Sequence, residues 1–109
     1  MSERTEYGPL TEAVYYILLS LYKPLHGYGI MQNVKEISNG RVTLGAGTMY
    51  GALNTLLEKG WIVPEIGDDD SRKKEYRITD LGKENVEYEI KRLEELIKNG
   101  KIVARGEQA

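Results

Sequence analysis

Cysteine is absent from the 109 residues, which excludes disulfides, thiolate metal sites and a cysteine nucleophile. Histidine occurs once, at His26. With no cysteine or second histidine to share a metal, and no visible partner for acid–base work, His26 beside Gly27 reads as a turn or capping residue. No metal, cofactor or catalytic group is expected, and so no enzyme. Long apolar runs are missing too. The longest, residues 13–22, is interrupted by Ser20 and is too short to cross a bilayer. The start, Met-Ser-Glu-Arg-Thr-Glu, is polar and acidic and does not resemble a secretory signal, so a cytoplasmic location is expected. Nor is there an excess of positive charge: 15 Lys and Arg stand against 17 Asp and Glu, a net charge of -2. Whole-chain charge is a weak test of nucleic-acid binding, because one face can be basic while the rest is acidic.

What is present has the length of one domain and a clear order of elements. Gly8-Pro9 opens a first helix, Pro9 standing where a missing N–H does no harm. Leu10, Val14, Ile17, Leu18 and Leu21 form its main stripe, and Ala13, Tyr16 and Leu19 add apolar surface elsewhere. A helix apolar nearly all round must be covered on more than one side, which in a small chain points to a second copy. Pro24 breaks the pattern at Lys23. A second helix carries Ile30, Met31, Val34 and Ile37 and stops at Asn39-Gly40. Residues 42–44 read as a short extended strand. Gly45 then caps a third helix over residues 46–59, with Leu53, Leu56 and Leu57 inward and a glycine stop at Gly60. Residues 61–66 and 74–79 form two strands around the polar turn 67–71, with Tyr76 and Ile78 alternating. Thr79 caps a last helix with Asp80 in its first turn. Its residues Val86, Ile90, Leu93 and Ile97 recur at spacings of 4, 3 and 4, the seam of a helix that pairs with a helix. The tail is expected to fray after Gly100.

This order predicts a mainly α protein with a small β-hairpin: a winged helix-turn-helix over residues 8–79 and a C-terminal dimerisation helix over 80–100. In that architecture the third helix enters the major groove and the hairpin meets the backbone or minor groove. Thr48, Gly51, Asn54 and Thr55 lie opposite the core stripe of the third helix. Thr48 can bond phosphates or base edges, and Asn54 adenine or a phosphate. Gly51 either lets DNA approach or packs against another helix, and Tyr50 is either a contact or a half-buried core aromatic. The hairpin carries Arg72, Lys73, Lys74 and Arg77, offset by Glu65, Asp68, Asp69, Asp70 and Glu75. Lys35 and Arg41 are further candidate contacts. Leu10 and Val14 with Val86, Ile90, Leu93 and Ile97 are the expected dimer interface. Tyr15, Tyr16, Tyr22 and Tyr88 either line a cavity for a flat aromatic effector or serve as amphipathic interface residues. Trp61 is expected to pack the hairpin onto the helices.

Several runs together resemble the PadR-like transcriptional regulators. They are Leu-Thr-Glu-Ala-Val-Tyr-Tyr-Ile-Leu at 10–18, His-Gly-Tyr-Gly-Ile at 26–30 and Gly-Thr-Met-Tyr-Gly-Ala-Leu at 47–53. Leu-Glu-Lys-Gly-Trp-Ile at 57–62, Arg-Lys-Lys-Glu-Tyr-Arg-Ile-Thr at 72–79 and Leu-Gly at 81–82 complete the set. The resemblance implies a cytoplasmic homodimer, mostly of repressor type, on a palindromic double-stranded operator. It places DNA contacts on Thr48, Tyr50, Arg72, Lys73 and Lys74, and the dimer contact between the last helix and the partner's first. It also implies an effector, a phenolic acid in some members and a hydrophobic drug in others. The single C-terminal helix is similar to the shorter, multidrug-responsive subgroup, but it lacks a tryptophan, so that subgroup's aromatic sandwich does not carry over. The net acidity and Asp68–Asp70 favour an alternative use of the same fold, as a protein-interaction module.

Overall fold

The computed structural model describes residues 8–65 and 74–108. Its order is α1 (Glu12–Ser20), β1 (Leu25–His26), α2 (Gly27–Ile37), α3 (Ala46–Lys59), β2 (Ile62–Glu65), β3 (Glu75–Ile78) and α4 (Asp80–Arg105). The helix α1 begins at Glu12, later than Pro9 suggested, because the Thr11 hydroxyl accepts from the Val14 amide and supplies the N-cap. His26 caps α2 in the same way, its Nδ1 accepting from the Gly29 amide at 3.2 Å. The helix α3 has the limits that Gly45 and Gly60 predicted, and Gly60 takes the left-handed φ of 76° that a glycine stop allows.

The third strand of the sheet is not where the extended stretch pointed. Residues 42–44 pair with no strand, since the Val42 amide is taken by the Ser38 hydroxyl at 2.9 Å. Leu25 and His26 instead pair with Tyr76 and Glu75, giving an antiparallel sheet in the order β1-β3-β2. Pro64 is tolerated in β2 because that strand lies at the sheet edge.

Ile17, Leu18 and Leu21 meet Ile30 and Val34 of α2, Met49, Leu53 and Leu56 of α3, and Ile62, Tyr76 and Ile78 of the sheet in one core. Trp61 closes it under the hairpin and Val86 from α4. Each fully buried side chain of this kind stabilises by ~1.5–3 kcal/mol. The exposed pairs Arg41–Glu12 and Arg77–Glu65 contribute ~0–1 kcal/mol each. Burial therefore holds the fold. Ile37, expected in the stripe of α2, is 45% exposed near the helix end.

The helix α4 runs to Arg105, past the fraying point expected at Gly100. One interior glycine costs about 1 kcal/mol, too little to end a helix of 26 residues. It stops at Gly106, whose φ is 68°. Only the first turns pack on the rest of the chain: Gly82, Asn85, Val86 and Glu89 are buried, and residues 94–101 are all exposed. Among the described residues no helix is long and apolar enough to cross a membrane.

Candidate nucleic-acid interface

The core stripe of α3 buries Met49, Leu53 and Leu56 and turns Thr48, Gly51, Asn54 and Thr55 outward, all exposed. A Cβ built on Gly51 meets nothing within 4 Å, and the same holds for Gly47. Gly51 is therefore not packed against another helix of this chain. Gly47, one turn earlier, widens the bare surface and was missed in the sequence, where it read only as part of a motif. The Thr55 hydroxyl donates to the Gly51 carbonyl at 3.3 Å and is spent on its own helix. Thr48 and Asn54 make no hydrogen bond among the described residues and are exposed.

Tyr50 lies at the edge of the core rather than inside it. Its residue is 47% exposed, yet its hydroxyl rests on the first residue of α2: a Cβ on Gly27 would strike that oxygen and lie 3.0 Å from the Tyr50 Cζ and the Met49 Cε. It also lies near Tyr76 of β3, whose hydroxyl pKa is raised by burial first and by Tyr50 second. The Tyr50 ring thus joins α3 to the start of α2. Beside it on α2, exposed Gln32 donates from Nε2 to the hydroxyl oxygen of exposed Tyr28 at 2.6 Å. The sequence offered one signal for this pair: both lie off the Ile30 and Val34 stripe.

The hairpin cations divide. Arg72 and Lys73 lie outside the described residues, as does the turn 67–71. Lys74 is exposed just before β3. Arg77 donates from Nε to Glu65 Oε1 at 2.7 Å across the hairpin and is partly neutralised. Arg41 is held by Glu12, its Nη1 donating to Oε1 at 2.9 Å. Lys35 is exposed in the last turn of α2. Among the described residues, positive charge on this face is therefore modest.

The expected dimer seam needs one correction. Val86 is 1% exposed and belongs to the chain's own core. Leu10, Val14, Ile90 and Leu93 are half-buried. Ile97 is 57% exposed, joined by Leu96 at 52% and Val103 at 85%. The open apolar seam thus sits further along α4 than the heptad reading put it.

Where α4 crosses the start of α1, buried Glu89 takes two hydrogen bonds from Arg92, Nε to Oε1 at 2.9 Å and Nη2 to Oε2 at 2.7 Å. Those bonds, Arg92's charge and the Leu10 backbone N–H hold its carboxyl below the ordinary range, against the opposing effect of burial. Nearby, the Tyr15 and Tyr16 ring centroids are 5.9 Å apart. Burial pushes the Tyr15 hydroxyl pKa up, and Glu89 adds to it. Tyr88 is half-buried on α4. Two surface grooves of about 250 and 280 Å³ open elsewhere, one along Pro9, Val14, Leu56 and Trp61 and one along Leu19, Tyr22, Gln32 and Asn33. Neither includes Tyr15, Tyr16 or Tyr88.

Known proteins share this arrangement. The profile of the "Transcriptional regulator PadR-like family" matches residues 15–88. A PadR family transcription regulator from Clostridium difficile R20291 is 30% identical with a TM-score of 0.66, over 84% of this chain and 95% of that one. PadR of Bacillus subtilis, solved in complex with operator DNA, is 29% identical with a TM-score of 0.62, over 73% of this chain and 47% of that longer one. A Streptococcus mutans UA159 protein, at 22% identity and a TM-score of 0.68 over 94% and 97% of the two chains, shares the fold. No similar sequence was found among curated proteins. With its winged-helix fold and a match over residues 15–88, the chain belongs to the PadR-like family of transcriptional regulators.

Proposed function

We propose that this protein is a DNA-binding transcriptional repressor that acts as a homodimer on a palindromic operator. The observation that carries the reading is the outward face of α3. Two glycines leave its backbone bare, and Thr48 and Asn54 stand there with unspent polar atoms. Such a helix can sink deep into a major groove, where Asn pairs well with adenine and Thr with several base edges. Tyr50 and Lys74 flank it, and Arg72 and Lys73 fall in the same hairpin. The operator complex of the Bacillus subtilis relative supports the choice of DNA as partner.

Dimerisation through α4 is supported by Leu96, Ile97 and Val103, whose exposed apolar surface on one helix calls for a cover. A planar hydrophobic effector between the subunits completes the reading. The paired rings of Tyr15 and Tyr16 beside α4 support it.

A gel shift with the DNA upstream of the protein's own gene tests the proposal. Specific retardation at low salt is expected, and its absence sinks the reading. Asn54→Ala should weaken operator binding by about 5- to 150-fold, the equivalent of ~1–3 kcal/mol for a bidentate base contact, and should relax the preference at one position.

A further inference from the structure

The core takes up neither Tyr28 nor Gln32, and neither belongs to the reading face of α3. Tyr28 is 64% exposed in the first turn of α2. A single exposed aromatic means little by itself. Here, however, the side chain is braced: the Gln32 amide one turn later donates to its hydroxyl oxygen at 2.6 Å. With the amide nitrogen facing the tyrosine, the tyrosine oxygen is the acceptor and its own O–H can donate, and no acceptor for it lies among the described residues. The ring thus presents a hydroxyl able to donate to whatever covers this surface.

Its position says what that is. The preceding residue, Gly27, lies directly under the Tyr50 hydroxyl, so the first turn of α2, which carries Tyr28, begins beside α3. In a helix-turn-helix, the helix before the reader crosses the phosphate backbone while the reader occupies the groove. A lone hydroxyl donor on that first helix suits a phosphate oxygen, which only accepts, better than a base edge.

We propose that Tyr28, braced by Gln32, is a further DNA-contacting residue that donates its hydroxyl proton to a backbone phosphate bordering the groove read by α3. The assignment rests on the DNA-binding reading above. It makes Gln32 a positioning residue, acting through Tyr28 and touching no DNA itself.

Fluorescence polarisation with two labelled duplexes tests it: the upstream sequence retarded in the gel shift, and a scrambled duplex of equal length and composition. Tyr28→Phe keeps the ring and removes only the hydroxyl, so its melting curve should match the unaltered protein. It should bind both duplexes roughly 3- to 10-fold more weakly, as expected for one lost hydrogen bond. The slope of affinity against salt should not change, because no cation is lost. Gln32→Ala should cause a smaller loss, and none when Tyr28 is already Phe. Equal binding by Tyr28→Phe and the unaltered protein overturns the contact. A loss confined to the operator duplex overturns the phosphate assignment. A Gln32→Ala loss that persists beside Tyr28→Phe overturns the brace. If the unaltered protein binds neither duplex, the repressor reading falls and this one with it.

Discussion

A glycine inside a helix lowers its stability by about 1 kcal/mol relative to alanine, and α3 carries two on its exposed side, Gly47 and Gly51. Among the described residues nothing presses on either, and their packing gives no reason for them. Gly51→Leu separates stability from function. The side chain has open space and a better helix propensity, so thermal melting should rise by a few degrees, in line with ~1 kcal/mol. Operator affinity should fall at least tenfold, because the bulk holds the helix off the groove. A rise in both would mean that this face does not meet DNA. Glu89 illustrates the opposite case, a residue inward-facing and charged. Its carboxyl is held down chiefly by the Arg92 hydrogen bonds. A depressed folded pKa contributes stability that is whole above the unfolded value near 4.5 and is lost as pH falls through the lower folded value. Glu89→Gln should therefore lower Tm by several degrees at pH 7, and by progressively less as pH falls below 4.5. Melts across pH 3–7 check this, and parallel curves for the two proteins would exclude Glu89 as a source of acid sensitivity.

Among the elements, α3 was the most legible, since both its ends are glycines and its apolar residues recur at helical spacing. The hairpin strands were equally plain, because Tyr76 and Ile78 alternate with exposed Arg77. The strand β1 could not be read. Two residues form a strand only because the free edge of β3 is there to receive them, and that is a fact about tertiary structure. Residues 42–44 misled for the same reason, their local preference being overruled by the Ser38 hydroxyl. In the candidate site, the α3 face was visible as residues left off a stripe. The seat of Tyr50 on Gly27 was not, since it joins positions 23 residues apart. The helix α4 was legible as a helix but misjudged in reach. Its exposed seam predicts that Leu96→Asp with Ile97→Asp converts the protein from dimer to monomer in analytical ultracentrifugation. The α3 head should remain folded, because neither side chain enters the core. A variant that stays dimeric would place the subunit contact elsewhere.

At the scale of the whole molecule the chain is elongated, 57 × 36 × 21 Å, with α4 projecting from a compact head. In the proposed dimer, two such heads joined through their α4 helices would present their α3 helices at a fixed separation. For a helix-turn-helix dimer that separation corresponds to about one DNA turn, ~34 Å. Five base pairs inserted between the half-sites should therefore reduce affinity to that of an isolated half-site, since one head then faces the wrong side of the duplex. A ladder of spacer lengths in a competition assay measures this, and an affinity indifferent to spacing would contradict the rigid pairing.

The root of α4 gives this geometry its meaning. A Cβ on Gly82 would strike the Trp61 carbonyl oxygen and come within 2.6 Å of Ile78. On the preceding residues, the Thr79 hydroxyl donates to the Gly60 carbonyl at 2.7 Å and its amide to the Trp61 carbonyl at 2.9 Å. The long helix is thus clamped where α3 ends and the hairpin begins. At 1.5 Å per residue it is ~39 Å long, so a tilt of about 5° swings its far end by ~3 Å. In the proposed dimer, a tilt imposed where the subunits meet would pass to the α3 head at this clamp, which closes only because residue 82 has no Cβ.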